Sequence, residues 1–273
     1  MENHEGLPPA KNFRVTGRDI ELLKLLHEYG CVDSQRIKAK LWNGNLKSRA
    51  HFRRLSILKK LRLIDNVVGD QGVGLGYRIT AQGVKVLETK GEAVLRLYPR
   101  RRYKTQFEHD QLLIDIRRIL EKSSVIKDFK TDQQVRAEIF KGHIGPTDWK
   151  NAPTIPDGTF IYEVPGQKLK VALELELSLK SQARYFKIFR SHLLNRDWQM
   201  TFYIVRDPQM SEKLMETLAF VKREDATISQ ASRINGLYIC ALDEFQKLEL
   251  DTPFTNGKQV IRISELEKLA LCK

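Results

Sequence analysis

The sequence predicts two domains of different class. The first is an α+β amino-terminal module of three helices, a hairpin and a closing helix. The second is an α/β domain built on a central mixed sheet. Three observations predict this division. The excess of positive charge is concentrated in one part of the chain: residues 1–104 carry 22 Lys+Arg against 10 Asp+Glu, and residues 105–273 carry 25 against 24. Capped, helix-spaced apolar residues fill the first part, whereas apolar runs of strand length recur in the second. Finally, 273 residues are enough for two separate cores. The expected limits are 12–91 for the first domain, 92–106 for a basic linker and 107–273 for the second domain.

Of the net charge of +13, +12 (22 − 10) therefore belongs to residues 1–104. A localised positive field suits a polyanion, because neutralising phosphates releases condensed counterions. Hydrophobic content of 41% and charged content of 30% are ordinary for a folded protein. No apolar run reaches the roughly 18–20 residues of a membrane helix, and the polar opening residues predict no export. Cys31, Cys240 and Cys272 form neither a disulfide framework nor a CxxC metal pair. The expectation is a cytoplasmic, reduced protein.

Thr16 with Asp19 three positions on reads as a capping box. Ile20, Leu23, Leu26 and Tyr29 follow at helical spacing, and Gly30 ends the helix. Ser34 opens a short second helix with Ile37, Leu41 and Trp42, and Asn43-Gly44-Asn45 breaks the chain. A third helix is expected from about Leu46 to Leu61, with Ala50, Ile57, Leu58 and Leu61 on its buried side. Ser48, Arg49, Arg53, Lys59 and Lys60 lie opposite, with Arg54 near the boundary. Residues 63–68 read as a strand, 69–76 as a glycine-rich turn and 77–79 as a return strand; Thr80 then caps a helix over 81–87.

This order is that of a winged helix-turn-helix. Arg54-Leu55-x-x-Leu58-x-x-Leu61-x-Leu63-Ile64, followed by Tyr77-Arg78-Ile79-Thr80-x-x-Gly83, resembles the third helix, wing and closing helix of many bacterial winged-helix regulators. A helix fits the major groove, where Arg and Lys reach guanine edges while flanking cations hold phosphates. Lys47, Ser48, Arg49, Arg53 and Arg54 are thus the expected DNA contacts of the module. The bridge that follows holds Arg100, Arg101, Arg102 and Lys104. It reads either as a segment tracking phosphates or a narrow minor groove, or as a solvated linker.

In the second domain a helix begins near Phe107 with Leu112, Leu113, Ile116, Ile119 and Leu120 on its buried side. Strands are expected at 135–139, 154–162, 170–177, 200–205 and 236–240, and helices at 182–194 and 211–221. Glu174 and Glu176 alternate with Leu173, Leu175 and Leu177, so both point to one face. Asp157 lies at the start of the preceding strand, close enough to join them. Such acids repel, and a hard cation such as Mg²⁺ would hold them together. The alternative is a solvated Glu-x-Glu face with surface ion pairs.

Pro156-Asp157, a hairpin-length gap, Glu174-x-Glu176 and then a helix resembles the PD-(D/E)XK nuclease fold. The resemblance implies Asp157 and Glu174 as ligands of Mg²⁺, and Glu176 standing where the family carries its catalytic Lys. Lys180 or Lys187 would have to take that part. The whole layout, with His109 opening a helix and Glu138 following, is similar to the replication-relaxation family of plasmids and other mobile elements. That resemblance implies duplex DNA as partner and other element-encoded proteins beside it; a homodimer is the default expectation because winged-helix proteins often dimerise on palindromes. Two activities stay open: DNA binding at a replication, mobilisation or transposition site, or metal-dependent endonuclease cleavage. A transcriptional autoregulator is the weaker third.

Overall fold

A computed structural model describes residues 14–42, 49–68, 74–92, 94, 104–139, 154–164, 166–195, 197–231, 236–265 and 267. The chain divides into two compact units, Met1–Val94 and Leu95–Lys273.

In the first unit, α1 spans Gly17–Tyr29. Its predicted capping box is formed: the Asp19 carboxylate accepts from the Thr16 backbone N–H at 2.7 Å, and the Thr16 hydroxyl accepts from the Asp19 N–H at 3.4 Å. The helix stops at Gly30, whose φ of 69° lies in the region that a side chain disfavours. α2 spans Ser34–Leu41 and is capped by Asp33, whose carboxylate accepts from the Arg36 N–H at 2.7 Å. α3 spans Ala50–Lys60; the expected earlier start at Leu46 lies outside the described residues.

The buried side of α3 differs from the expected one. His51, Leu55 and Leu58 face the core, whereas Ala50 is exposed and Ile57 is 40% exposed. The apolar letters alone misplaced the stripe, because a buried histidine occupies one of its positions.

β1 (Ile64–Val68) and β2 (Gly74–Ile79) pair antiparallel from Ile64 opposite Ile79, and α4 (Ala81–Thr89) follows, capped by Thr80 as predicted. β2 starts earlier than expected, so Gly74 and Gly76 belong to the strand and not to the turn. Val32, between α1 and α2, adds a bridge to β2 by exchanging two backbone bonds with Tyr77, at 3.0 and 2.9 Å. Gly76 permits this bridge: a Cβ there would lie 2.4 Å from the Val32 carbonyl oxygen. Leu22, Leu23, Leu26, Ile37, Leu58 and Leu87 close the core beneath it.

In the second unit, α5 (Lys104–Leu120) leads to β3 (Ile126–Thr131), α6 (Asp132–Ile139), β4 (Gly158–Val164) and β5 (Gln167–Glu176). Then come α7 (Gln182–Leu194), β6 (Met200–Val205), α8 (Pro208–Glu224), α9 (Ala226–Ala231), β7 (Gly236–Ala241) and α10 (Leu242–Leu248). The two-residue strands β8 (Phe254–Thr255) and β9 (Val260–Ile261) complete a mixed sheet of order β3-β4-β5-β6-β7-β8-β9. Only β5-β6 and β6-β7 are parallel among the described pairs.

The expectation of a strand at 135–139 is corrected: these residues lie in α6. Thr131 and Gln134 form a capping box of their own, with the Gln134 side chain accepting from the Thr131 N–H at 2.8 Å. The strand precedes it, at 126–131, and a bulge with Asp128 at φ 50° breaks its alternation.

β6 is buried on both sides, as its continuous apolar run predicts. On one face Tyr203 and Val205 pack with Tyr185, Phe189, Leu214 and Leu218 of α7 and α8. On the other, Phe202 stacks on Phe254 with ring centroids 4.3 Å apart. Glu174 lies in register with Tyr203 and so belongs to the face that α7 covers.

Candidate functional site

Two groups of side chains stand out, one in each unit. In the first unit the feature is the outer face of α3. Arg49, Arg53, Ser56 and Lys60 are exposed and recur every three or four residues, which makes a single ridge along the helix. Phe52, Ile57 and Lys59 flank it, all exposed. Neither Asp nor Glu occurs between Ala50 and Lys60.

Arg54 does not belong to this ridge. Its guanidinium forms a bidentate pair with Asp19, with Nε donating to Oδ1 at 2.7 Å and Nη2 to Oδ2, and it also donates to the Arg14 carbonyl at 3.1 Å. Asp19 is 1% exposed. Burial alone would raise its carboxyl pKa, but the bonds from Arg54 and Thr16 outweigh that and hold it below its ordinary value. Arg54 is thus a structural tie between α1 and α3, a correction to its expected place among the DNA contacts. Lys47, Ser48, Arg100, Arg101 and Arg102 lie outside the described residues, and Lys104 is the first residue of α5.

The second group gathers where α5, the start of β4, the end of β5 and α7 meet. Asp157 sits one residue before β4 and is tied on two sides. Its Oδ2 accepts the Leu175 N–H at 2.8 Å and lies 3.2 Å from His109 Nε2 of α5. The same nitrogen is 3.1 Å from the Leu175 carbonyl, and His109 Nδ1 is 3.6 Å from Asp110. With oxygens facing both nitrogens, the ring favours its cationic form. Burial pulls the pKa down, but Asp110 and Asp157 more than offset it and push it up to about 10.

Glu174 faces His192 of α7, with Oε1 3.0 Å from Nε2. Burial, and then the charge of Asp157, raise the Glu174 pKa; His192 and Lys180 act against them. Glu176 is 4% exposed and pairs with Lys180. The loop that delivers Lys180 is braced by Tyr185, whose hydroxyl accepts from the Lys180 N–H at 3.2 Å. Burial, then Arg184, depress the Lys180 ammonium pKa, while Glu174 and Asp157 oppose the shift.

Asp157, Glu174, Glu176 and Lys180 are therefore brought together, and the solvated Glu-x-Glu alternative is not what forms. Glu138 is not part of the group: it is exposed on α6 and pairs with Lys130 at 2.7 Å. Lys187 is exposed on α7. His109 beside Asp157, and His192 and Lys180 beside Glu174, offset part of the repulsion among these acids. Among the described residues no set of three or more His, Cys, Asp and Glu side chains is arranged around one metal position. His192 was missed in the sequence, where a lone histidine on an apolar helix face gives no local signal.

No described helix is long and apolar enough to cross a membrane. Comparison with known proteins adds no name to either site: no family model, no curated protein and no solved structure matches the chain.

Proposed function

We propose that this protein binds duplex DNA through the outer face of α3, as a winged-helix protein acting at a replication, mobilisation or transposition site of a mobile element. The ridge Arg49-Arg53-Ser56-Lys60, with no carboxylate on its helix, carries the reading. A helix of about 10–12 Å with its side chains fills a major groove about 12 Å wide, so such a ridge meets base edges and phosphates together. The bridge from Val32 to β2, which ties the hairpin to the helices, further supports a wing in this unit.

The test is Arg49→Ala with Arg53→Ala, leaving Arg54 in place. Affinity for duplex DNA is expected to fall, and the slope of log K against log salt to become shallower by about 1.8, or about 0.9 for each phosphate contact. Both side chains are exposed, so the melting temperature should not move. Unchanged affinity in a titration across salt concentrations would remove α3 from the interface.

A second reading, metal-dependent endonuclease, is favoured by one observation: Lys180 reaches Glu176, at the position where the resembled nuclease family carries its lysine. Asp157 and Glu174 feel each other's charge. Two carboxylates completed by substrate phosphate is an ordinary way to hold Mg²⁺, so these residues fit the ion in that form. Bound there, Mg²⁺ would supply Lewis acidity toward a phosphodiester. Lys180, its ammonium pKa depressed, is placed to give or take a proton beside it. His109 keeps Asp157 in position.

Supercoiled plasmid incubated with Mg²⁺ or Mn²⁺ distinguishes the readings. Under the second, Asp157→Ala and Lys180→Met each abolish nicking while the gel shift persists. Nicking that survives both changes would place the chemistry elsewhere. A gel shift without nicking in the unaltered protein leaves DNA binding alone.

A further inference from the structure

Two large apolar side chains are exposed on the helix that carries the basic ridge: Phe52 is 51% exposed and Ile57 is 40% exposed. Helices ordinarily turn such residues inward, and α3 instead buries His51 beside them. The Phe52 ring is not loose. It lies against the His51 ring with centroids 3.9 Å apart, and His51 is itself 2% exposed. An exposed aromatic is thus held in a fixed place by a buried neighbour.

Phe52 and Ile57 are five positions apart, which puts them about 140° apart around the helix. They form two shoulders, one on each side of the Arg49-Arg53-Ser56-Lys60 ridge. Cations border both: Arg49 is three positions from Phe52, and Arg53 and Lys60 are four and three positions from Ile57.

This composition argues for one kind of occupant. Protein–protein interface cores are depleted of lysine and of charge generally, whereas nucleic-acid interfaces are strongly positive. An apolar side chain set among cations has a natural counterpart in the major groove. There the thymine C5-methyl is the apolar group presented by a base edge, close to phosphates. With the ridge directed at the groove floor, the two shoulders face the groove walls.

We infer that Phe52 and Ile57 contact thymine methyl groups on either side of the ridge, making the preferred duplex one with thymine flanking the bases under Arg49 and Arg53. This rests on the DNA-binding reading above and adds the chemistry of recognition to it.

The experiment starts with the full chain and a pool of random duplexes, from which retained sequences are selected. The best is resynthesised with deoxyuridine at every thymine, which removes the methyl group and leaves base pairing intact. Affinity is expected to fall about fourfold for each methyl contacted, the factor that burying one such carbon is worth. Phe52→Ala with Ile57→Ala should weaken binding to the thymine duplex and bind both duplexes equally, with an unchanged melting temperature.

A selected duplex bound equally well in its thymine and uracil forms by the unaltered chain overturns the inference and leaves DNA binding standing. Discrimination undiminished in the double variant points to duplex shape and also overturns it. So does a change of oligomeric state in the double variant with the thymine-to-uracil ratio unmoved, since the shoulders would then belong to an interface between copies. No duplex retained at any stage overturns both the inference and the reading beneath it.

Discussion

Asp19→Ala is expected to destabilise the amino-terminal unit by about 3 kcal/mol, the scale of breaking a buried ion pair together with a helix cap. The substitution removes the acceptor for Thr16 and both bonds from Arg54 at once. Amide exchange in α1 and α3 should accelerate together, because Arg54 ties one to the other. Unaltered exchange protection in α3 would show that the pair contributes no cohesion. The sign with pH follows from the direction of the shift. A carboxyl held below its ordinary value of 3.8 stabilises the fold above that value and loses its contribution as pH falls through the folded value. The gap between Asp19→Ala and the unaltered chain should therefore close in strong acid. Arg54→Ala should behave like Asp19→Ala. Any loss of DNA binding it causes should track unfolding, unlike that of Arg49→Ala with Arg53→Ala.

The second large effect belongs to His109. Its pKa is raised from 6.5 to about 10, so the folded chain holds a proton that the unfolded chain releases across that window. The stabilisation is full below pH 6.5 and is lost as pH climbs towards 10. It amounts to something on the order of 5 kcal/mol, at about 1.4 kcal/mol for each pH unit between 6.5 and about 10. In urea titrations with EDTA present, the stability of the carboxy-terminal unit should fall through this range. His109→Gln should flatten the dependence, making the two proteins differ most near pH 6 and least near pH 10. A stability difference that does not change between those values would mean that folding does not raise the His109 pKa.

What the sequence revealed depended on how local the determining interactions are. α7 and β6 have the predicted boundaries because each is set by its own residues: helical spacing over Tyr185 and Phe189 in one, an unbroken apolar run in the other. β3 escaped notice because its bulge spoils the period, and α6 was misread although Thr131 and Gln134 spell its capping box. β8 and β9 are two residues each, too short for any period to register. The Glu-x-Glu alternation was legible, and so was the nearness of Asp157, since strand geometry fixes both. The partners were not. His192 is 18 positions from Glu174 and Arg54 is 35 from Asp19, so these pairs exist only once the helices have packed.

Gly76 carries a lesson for anyone who would rebuild this unit from parts. The hairpin reads as a detachable accessory, yet one of its residues has its missing side chain filled by the Val32 carbonyl of the inter-helix segment. A hairpin borrowed from elsewhere, or redesigned for a new surface, would have to arrive with a bare α-carbon at that position. Otherwise the graft would push the start of α2 aside, and the aim of α3 would shift without any change to α3 itself.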